Sequence, residues 1–259
     1  MIVEKAVYLR LRVTLRAVMA VGAITALLQT ETAQAQTPVS IELVLAVDIS
    51  RSVDDGEYDL QMTGIANAFR NPEIIDLIGQ HNGVAVTLFQ WDEEADKQHM
   101  IPWHLLSDRA SVLSFATKVQ VLERSQTRNL TGIGKAIEFG VQLITENKYA
   151  GRQSKIDISG DGWDNIGSLP SASRQRARSL GIAINGLPIL TDTYNLDKYY
   201  REEVILGPDA FLEIAIDYND FARAFLRKLR REITPFMSRN DPAPRAPVQQ
   251  AHASRRSAR

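Results

Sequence analysis

A carboxylate and two hydroxyls stand at alternating positions, Asp48, Ser50 and Ser52, directly after the apolar run at residues 41–47. Side chains of these types, displayed where a strand ends, suit a small, hard cation that prefers oxygen ligands. Aspartate and serine are also the commonest residues of turns, so a turn that caps the next helix is the alternative interpretation. The choice between the two depends on whether other loops add further ligands.

Two later segments add one hydroxyl and one carboxylate. Thr131 opens a loop that runs into a predicted helix, and Asp161 follows the strand-like run at residues 155–160. With the first loop they make a set of three hydroxyls and two carboxylates. Such an oxygen-only set, with little negative charge, favours Mg²⁺ or Mn²⁺ over zinc. The set therefore predicts a metal site.

The elements that must position these residues alternate between strands and helices. This order predicts an α/β fold, with a doubly wound, mostly parallel sheet and helices on both faces. The predicted strands are residues 41–47, 83–91, 100–105, 155–159, 182–189 and 211–216. The predicted helices are residues 57–69, 109–121, 133–146, 171–180 and 220–233, with Asp54, Asp55 and Ser107 as capping residues.

The predicted sheet places the candidate ligands at one edge. Binding sites in such sheets form in the loops at the carboxyl ends of the strands. Asp48 follows the first predicted strand and Asp161 the fourth, so both fall at that edge. Pro102 marks the third strand as an edge strand, because proline cannot donate a ladder hydrogen bond.

In order and type, these residues resemble the von Willebrand factor A domains, whose metal-ion-dependent adhesion site (MIDAS) is built from three such loops. The resemblance covers residues 40–234. More narrowly, the chain is similar to a bacterial secreted branch of uncharacterised function that carries Ser-Gly-Asp-Gly, here residues 159–162. The resemblance to the von Willebrand factor A domains implies that Ser50 and Ser52 bind the ion directly and Thr131 directly or through water. It also implies that Asp48 and Asp161 bind mostly through water.

The two ends of the chain differ from the middle. Residues 1–35 combine four basic side chains, a 12-residue apolar run at 17–28 and the small-residue pattern Ala33-Gln34-Ala35. This is typical of a signal peptide cleaved after Ala35, since the run is shorter than the ~20 residues of a membrane span; an uncleaved anchor is the alternative. Residues 237–259 are rich in Pro, Ala and Arg and predict a disordered basic tail. The domain between them is residues 36–236.

Composition and motifs argue against several other classes. The chain has no cysteine, hence no disulfide framework and no lipid-attachment site, and the mature chain is mildly acidic, with 26 Lys and Arg against 29 Asp and Glu. No G-x-S-x-G nucleophile motif occurs. Residues 132–135 lack the first glycine and the final Ser or Thr of a phosphate loop. The four histidines show no ligand spacing, and the acidic residues 92–96 predict a solvated hairpin turn.

The sequence thus predicts an exported, periplasmic or extracellular binding protein that uses Mg²⁺ or Mn²⁺ to capture an acidic group of a protein or cell-envelope component. It predicts no enzymatic activity, no nucleic-acid partner and no stable membrane span in the mature chain. A metal-assisted hydrolase and a scaffold domain with an empty metal site remain alternatives. Trp163 is expected either to contact a ligand or to pack under its own loop. Asp157, an acid in a buried strand, is expected behind the metal loops or on a wetter face of the sheet.

Overall fold

A computed structural model of the protein describes residues 35–126, 128–166, 170–191 and 193–234. Apart from Ala35, the predicted signal peptide lies outside the described residues, and so does the predicted tail. The strands are β1 Thr37–Asp48, β2 Val84–Trp91, β3 Ala95–Leu106, β4 Tyr149–Gly160 and β5 Ala183–Pro188. The helices are α1 Asp55–Arg70, α2 Pro72–Gly79, α3 Arg109–Gln120, α4 Ile133–Thr145, α5 Ser171–Ser179, α6 Leu196–Tyr199, the π-helix Tyr200–Val204 and α7 Phe221–Ile233.

Within the described part of the chain, five strands form one sheet in the order β3-β2-β1-β4-β5. The central strand β1 pairs parallel with β2 and with β4, and β4 pairs parallel with β5. Only β3 runs antiparallel, at the edge beside β2, and it carries Pro102 as predicted. The predicted doubly wound, mostly parallel α/β fold is confirmed. Because β1 and β4 are parallel neighbours, their carboxyl ends meet at the same edge.

Helices cover both faces of the sheet, which explains why residues 43–47 in the middle of β1 are all apolar. Alternate side chains such as Leu43 and Leu45 belong to a core shared with α1, α2, α3 and α7. Those between them, Val44 and Ala46, belong to a second core with α4, α5 and the residues around the π-helix. The backbone of β1 is therefore held from both sides, and the loop after Asp48 starts from a fixed point.

Capping residues set where the helices begin. Asp54 caps α1 in a capping box with Glu57, as the sequence indicates. The prediction that Ser107 caps α3 was wrong: Asp108 accepts from the backbone N–H of Ser111 at 2.7 Å. Asp108 has this role because it lies directly before the first helical residue, where its carboxylate reaches the free N–H groups.

Several further elements differ from prediction, among them α6 and the π-helix, which were not predicted. The predicted strand at 211–216 forms only isolated bridges, of Leu212 with Gly186 in β5 and of Ala215 with Ile189 just after β5. Its first N–H, on Phe211, donates to the side chain of Asn185 at 2.9 Å instead of joining a ladder. Helix α2 was not predicted, although Asn71 as cap and Pro72 in the first turn are typical helix-start residues. None of the helices in the described ranges is long and apolar enough to cross a membrane.

Candidate metal centre

Asp48, the last residue of β1, is fully buried. Its Oδ1 accepts a hydrogen bond from the backbone N–H of Ser50 at 2.8 Å, which folds the loop back on the strand end. Its Oδ2 is buried and has no hydrogen-bond partner among the described residues. Leaving a buried neutral polar group without a hydrogen bond costs ~1–3 kcal/mol, and leaving a charged carboxylate oxygen without a donor costs more. A cation, bound directly or through water, would satisfy it, so the residues fit a metal ion.

The serine hydroxyls link the loop after Asp48 to the third loop of the centre, which follows β4 and begins with Asp161. Ser50 is buried, and its Oγ lies 3.4 Å from the Oγ of Ser52. Ser52 is exposed, and its Oγ donates to Oδ1 of Asp161 at 2.7 Å. Residues 109 positions apart in the chain therefore meet directly, at the edge where parallel β1 and β4 both end.

Thr131 is fastened to the third loop by its backbone. Its N–H donates to Oδ1 of Asn165 at 2.8 Å, and the N–H of Asn165 donates back to the Thr131 carbonyl at 2.9 Å. A Cβ added to Gly162 would lie 3.3 Å from Oγ1 of Thr131, so this hydroxyl faces the backbone next to Asp161. The structure thus brings all five sequence-predicted residues to one edge of the sheet.

Helix α4, which follows Thr131, takes its cap from another loop. Its own N-cap residue, Gly132, offers no side-chain cap. Oδ2 of Asp164 instead accepts the N–H of Gly134 at 2.9 Å. Neither Asp164 nor Asn165 was singled out from the sequence, because both act on residues about 30 positions earlier and no local pattern marks them.

Two further residues hold the first loop. Gln61 of α1 is buried and donates from Nε2 to the Asp48 carbonyl at 3.2 Å. The guanidinium of Arg124, in the loop after α3, donates to the carbonyls of Ile49 and Val53. The backbone between the candidate ligands is therefore anchored from two neighbouring elements.

Asp92 corrects the prediction of a solvated acidic turn at residues 92–96. It is buried, and its carboxylate accepts the backbone N–H groups of Glu94 and Arg128. Its carbonyl accepts the N–H of Gly132 at 2.7 Å. Asp92 therefore ties the end of β2 to the loop of Thr131.

The electrostatics of the centre favour a cation. Burial, and next the nearby carboxylate of Asp161, raise the pKa of Asp48 to about 8. A Cβ added to Gly160 would lie 2.6 Å from Oδ2 of Asp48 and 2.9 Å from the hydroxyl of Tyr200, so only glycine leaves the carboxylate room there. Burial and the same two carboxylates raise the pKa of Tyr200 well above its usual value. Two acids crowded together in a poorly solvated place are relieved by a positive charge.

Two other residues considered in the sequence have clear positions. Trp163 is 48% exposed, and its ring centre lies 6.1 Å from that of Tyr199, so it is both accessible and packed. Asp157 does not lie behind the metal loops as expected: its Oδ1 pairs with the buried Nζ of Lys228 on α7 at 2.7 Å. The alternation of β4 turns Asp157 to the α7 face, opposite to its apolar neighbours Ile156 and Ile158.

Across the described ranges, no three His, Cys, Asp or Glu side chains cluster closely enough to hold a metal. A metal at this edge would therefore depend on the hydroxyls of Ser50, Ser52 and Thr131 as well as on carboxylates. That donor set lies at the carboxyl edge of the doubly wound sheet.

The fold is that of the von Willebrand factor A domains. Within that class, the chain belongs to the family described as protein of unknown function DUF1194, whose model matches residues 38–237. No curated protein matches the chain.

Similar solved structures include the von Willebrand factor domain of the type V pili tip protein Mfa5 from Porphyromonas gingivalis, with 11% identity, a TM-score of 0.52 and coverage of 77% of this chain and 98% of that one. A von Willebrand factor type A protein from Catenulispora acidiphila has 15% identity and a TM-score of 0.53 over 75% of this chain and 42% of that one.

Proximal thread matrix protein 1 from the mussel byssus, in a structure with a zinc-occupied MIDAS motif, has 12% identity and a TM-score of 0.55 over 75% of this chain and 48% of that one. The chain spans about half the length of the mussel protein. Identities this low show the fold alone.

Proposed function

We propose that the chain is an exported, metal-dependent binding protein that captures an acidic group of a protein or cell-envelope component. The metal site is formed by Asp48, Ser50, Ser52, Thr131 and Asp161, with Mg²⁺ or Mn²⁺ as the ion. The observation that carries the proposal is the buried Oδ2 of Asp48, which has no partner among the described residues and lies in a set of converging oxygen ligands.

The donor set explains why a partner would bind. Three of the five ligands are neutral hydroxyls, and the two carboxylates are expected to bind mostly through water, so few charged groups contact the ion directly. A bound ion of this kind supplies an electrophilic position that a carboxylate can occupy. Asp48 and Ser50 lie buried at the bottom of the centre, whereas Ser52 and the neighbouring Arg51 are exposed at its rim. The exposed guanidinium would attract an acidic group toward the same opening.

Contacts of the histidines favour binding over hydrolysis. His81 contacts the carbonyl of Ile233, His99 contacts the carboxylate of Asp96, and His104 contacts the carbonyl of Pro102. A histidine could serve a hydrolase as general base only beside the metal loops, and the three imidazoles in the described ranges have their hydrogen-bond partners elsewhere. The solved neighbours named above include a pilus tip protein and a byssus matrix protein, which supports a binding role and an exported location.

The proposal includes the domain boundaries: a signal peptide at residues 1–35, the A domain at 36–236 and a basic tail at 237–259. The apolar run at 17–28 and the alanines at 33 and 35 support the first boundary. N-terminal sequencing of the exported protein tests it, and the expected first residue is Gln36. A full-length chain retained in the membrane fraction would contradict it.

Calorimetric titration tests the metal site. MgCl₂ and MnCl₂ should bind the wild-type protein, with ZnCl₂ as a comparison because the mussel neighbour holds zinc. Asp48→Ala should abolish binding and leave the fold intact, because Asp48 lies at the end of β1 outside the two hydrophobic cores and its buried Oδ2 makes no hydrogen bond to the described residues. Asp76→Ala, which removes an exposed carboxylate on α2, is the matched control and should bind as the wild type does. Normal binding by Asp48→Ala would exclude the assignment.

A further inference from the structure

Large hydrophobic side chains are exposed around the candidate metal centre. Leu130 directly precedes Thr131, and Trp163 follows Asp161 by two residues. Tyr194, which is 83% exposed, lies between β5 and α6, in a segment that leaves the same edge of the sheet. Single exposed apolar residues are ordinary, but apolar residues gathered around a polar centre mark interaction sites.

Trp163 is held in place by an aromatic neighbour. Its ring lies 6.1 Å from the half-buried ring of Tyr199, at an interplanar angle of 34°. The hydroxyl of Tyr199 accepts the backbone N–H of Asp164 at 3.3 Å, which fixes this tyrosine to the loop that carries the tryptophan. We refer to Trp163 and Tyr199 as the aromatic wall. Ordering it in advance reduces the entropy that a partner must overcome on binding.

The aromatic wall is continuous with the metal centre through Tyr200. The ring centres of Tyr199 and Tyr200 are 6.3 Å apart. The fully buried Tyr200 hydroxyl approaches the same face of Gly160 as Oδ2 of Asp48 does. Three rings therefore lead from the buried carboxylate to the exposed indole. Trp163 follows Asp161 by two residues, so their Cα atoms are at most about 7.6 Å apart, and the side chains of two neighbouring partner residues can span that distance.

We propose that the aromatic wall binds an apolar side chain next to the carboxylate that the metal centre captures. The partner is then a protein segment in which an Asp or Glu is adjacent to an aromatic or large aliphatic residue. This inference rests on the proposed function and specifies its partner. A protein segment fits the surface better than a neutral sugar does, because the proposed metal centre demands a carboxylate.

Two small acids that differ by one ring provide the test. Propionate and 3-phenylpropionate are titrated into the protein as the cell exports it, with saturating MgCl₂ and again with chelator, and tryptophan fluorescence is followed. With Mg²⁺, 3-phenylpropionate should bind roughly fivefold or more tightly than propionate, as expected for one added aromatic contact. Chelator should abolish the binding of both acids.

Variants assign the difference to the wall, with ligand-detected NMR replacing fluorescence where the indole is removed. Trp163→Ala should make the two acids bind equally while leaving the affinities for Mg²⁺ and propionate unchanged, and Trp163→Phe should keep most of the preference. Leu105→Ala is the matched control, since Leu105 is also exposed but pairs with the amino-terminal part of β2 at the far edge of the sheet.

Three outcomes would overturn the inference. Equal affinity of the wild-type protein for both acids would remove the aromatic wall and leave the metal centre as a carboxylate site. Binding of Mg²⁺ without binding of either acid would refute carboxylate capture itself. Binding of N-acetylglucosamine that needs Trp163 but not the ion would assign the wall to a carbohydrate instead.

Discussion

Two places in this molecule bury carboxylates, and they differ in where the compensating positive charge comes from. Beneath α7, the buried carboxylates of Asp157 and Glu232 share the buried ammonium of Lys228, at 2.7 and 2.9 Å. At the carboxyl edge, Asp48 is equally buried, but it is surrounded by hydroxyls, backbone and the carboxylate of Asp161. The first group contains its own cation, whereas the second fits a cation from solution.

The two carboxylates beneath α7 do not shift alike: burial raises the pKa of Asp157 to about 6 although Lys228 opposes the rise, and the pKa of Glu232 is lowered. Burial alone would raise the pKa of Glu232, but Lys228 and then Lys155 outweigh it and lower the pKa. Burial and the carboxylate of Asp161 raise the pKa of Asp48 to about 8. A buried carboxylate by itself therefore does not indicate a binding site. The informative feature is a buried carboxylate whose compensating charge is not supplied by the chain.

The largest expected effect comes from removing the internal cation. Lys228→Met should destabilise the protein by ~3–5 kcal/mol, because it leaves Asp157 and Glu232 buried without their shared partner. Urea unfolding measures the loss. Lys118→Met, at an exposed position of α3, should change stability by less than about 0.5 kcal/mol. A loss below about 1 kcal/mol for Lys228→Met would show that the cluster is not compensated in the way described.

Adding the external cation should have the next largest effect. Mg²⁺ at a hundredfold excess over its dissociation constant should stabilise the wild-type protein by about 2.7 kcal/mol, because it binds the folded state only. Asp48→Ala should lose this increment. Lys228→Met should retain it, since the two groups lie in different parts of the sheet and their effects should add. Urea unfolding with and without MgCl₂ measures all three, and an increment that also disappears in Lys228→Met would mean that the groups are coupled.

Loosening the hydrogen bonds between the two loops should weaken metal binding more modestly. Asn165→Ala removes the side-chain acceptor of the Thr131 N–H, a contribution of about 1 kcal/mol, which corresponds to about fivefold in Mg²⁺ affinity. Calorimetry gives the affinity, and circular dichroism verifies the fold. Asn67→Ala, on the exposed side of α1, is the matched control and should leave the Mg²⁺ affinity unchanged. Unchanged affinity would show that Thr131 does not depend on Asn165.

The smallest effect concerns Asp96, a carboxylate stabilised by hydrogen bonds rather than by a full counter-charge. Although partial burial opposes it, hydrogen bonds from Ser125, the Gln98 backbone and His99 lower its pKa to about 2. A depressed folded-state pKa contributes stability above the ordinary value of 3.8 and loses it as the pH falls toward 2. Asp96→Asn should therefore cost up to about 1 kcal/mol at pH 7, after allowance for solvent screening. The difference from wild type should disappear between pH 4 and pH 2 in thermal unfolding, and a pH-independent difference would contradict this account.

Strand direction made the candidate centre predictable from the sequence. Asp48 and Asp161 each follow an apolar run, and parallel strands end at one edge, so their approach required no knowledge of side-chain packing. The contact between Thr131 and Asn165 was not predictable, because it depends on how two loops pack after the sheet has formed. The strand at 211–216 was predicted because its apolar composition is typical of a strand. In the structure, its first N–H donates to the side chain of Asn185, and its backbone pairs only at two isolated bridges.

The sequence of α7 contains a signal for the partner of Asp157. Lys228 lies on the same face of α7 as Phe221 and Phe225, at helical spacing, and a lysine within an apolar stripe needs a carboxylate. Asp157 in β4 is the matching anomaly. A buried lysine and a buried aspartate in one domain predict an ion pair between Lys228 and Asp157, although neither residue alone indicates where its partner lies.

The borrowed cap of α4 has a consequence for the order of folding. Asp164, which accepts the N–H of Gly134, lies beyond β4, so the first turn of α4 is complete only after that strand has joined the sheet. Forming such a distant contact requires closure of a long stretch of chain, which is entropically costly early in folding. The loops of the candidate centre should therefore take their final positions late, after the central strands have paired. A newly synthesised chain would then gain the proposed affinity for the ion only as the last part of its structure forms.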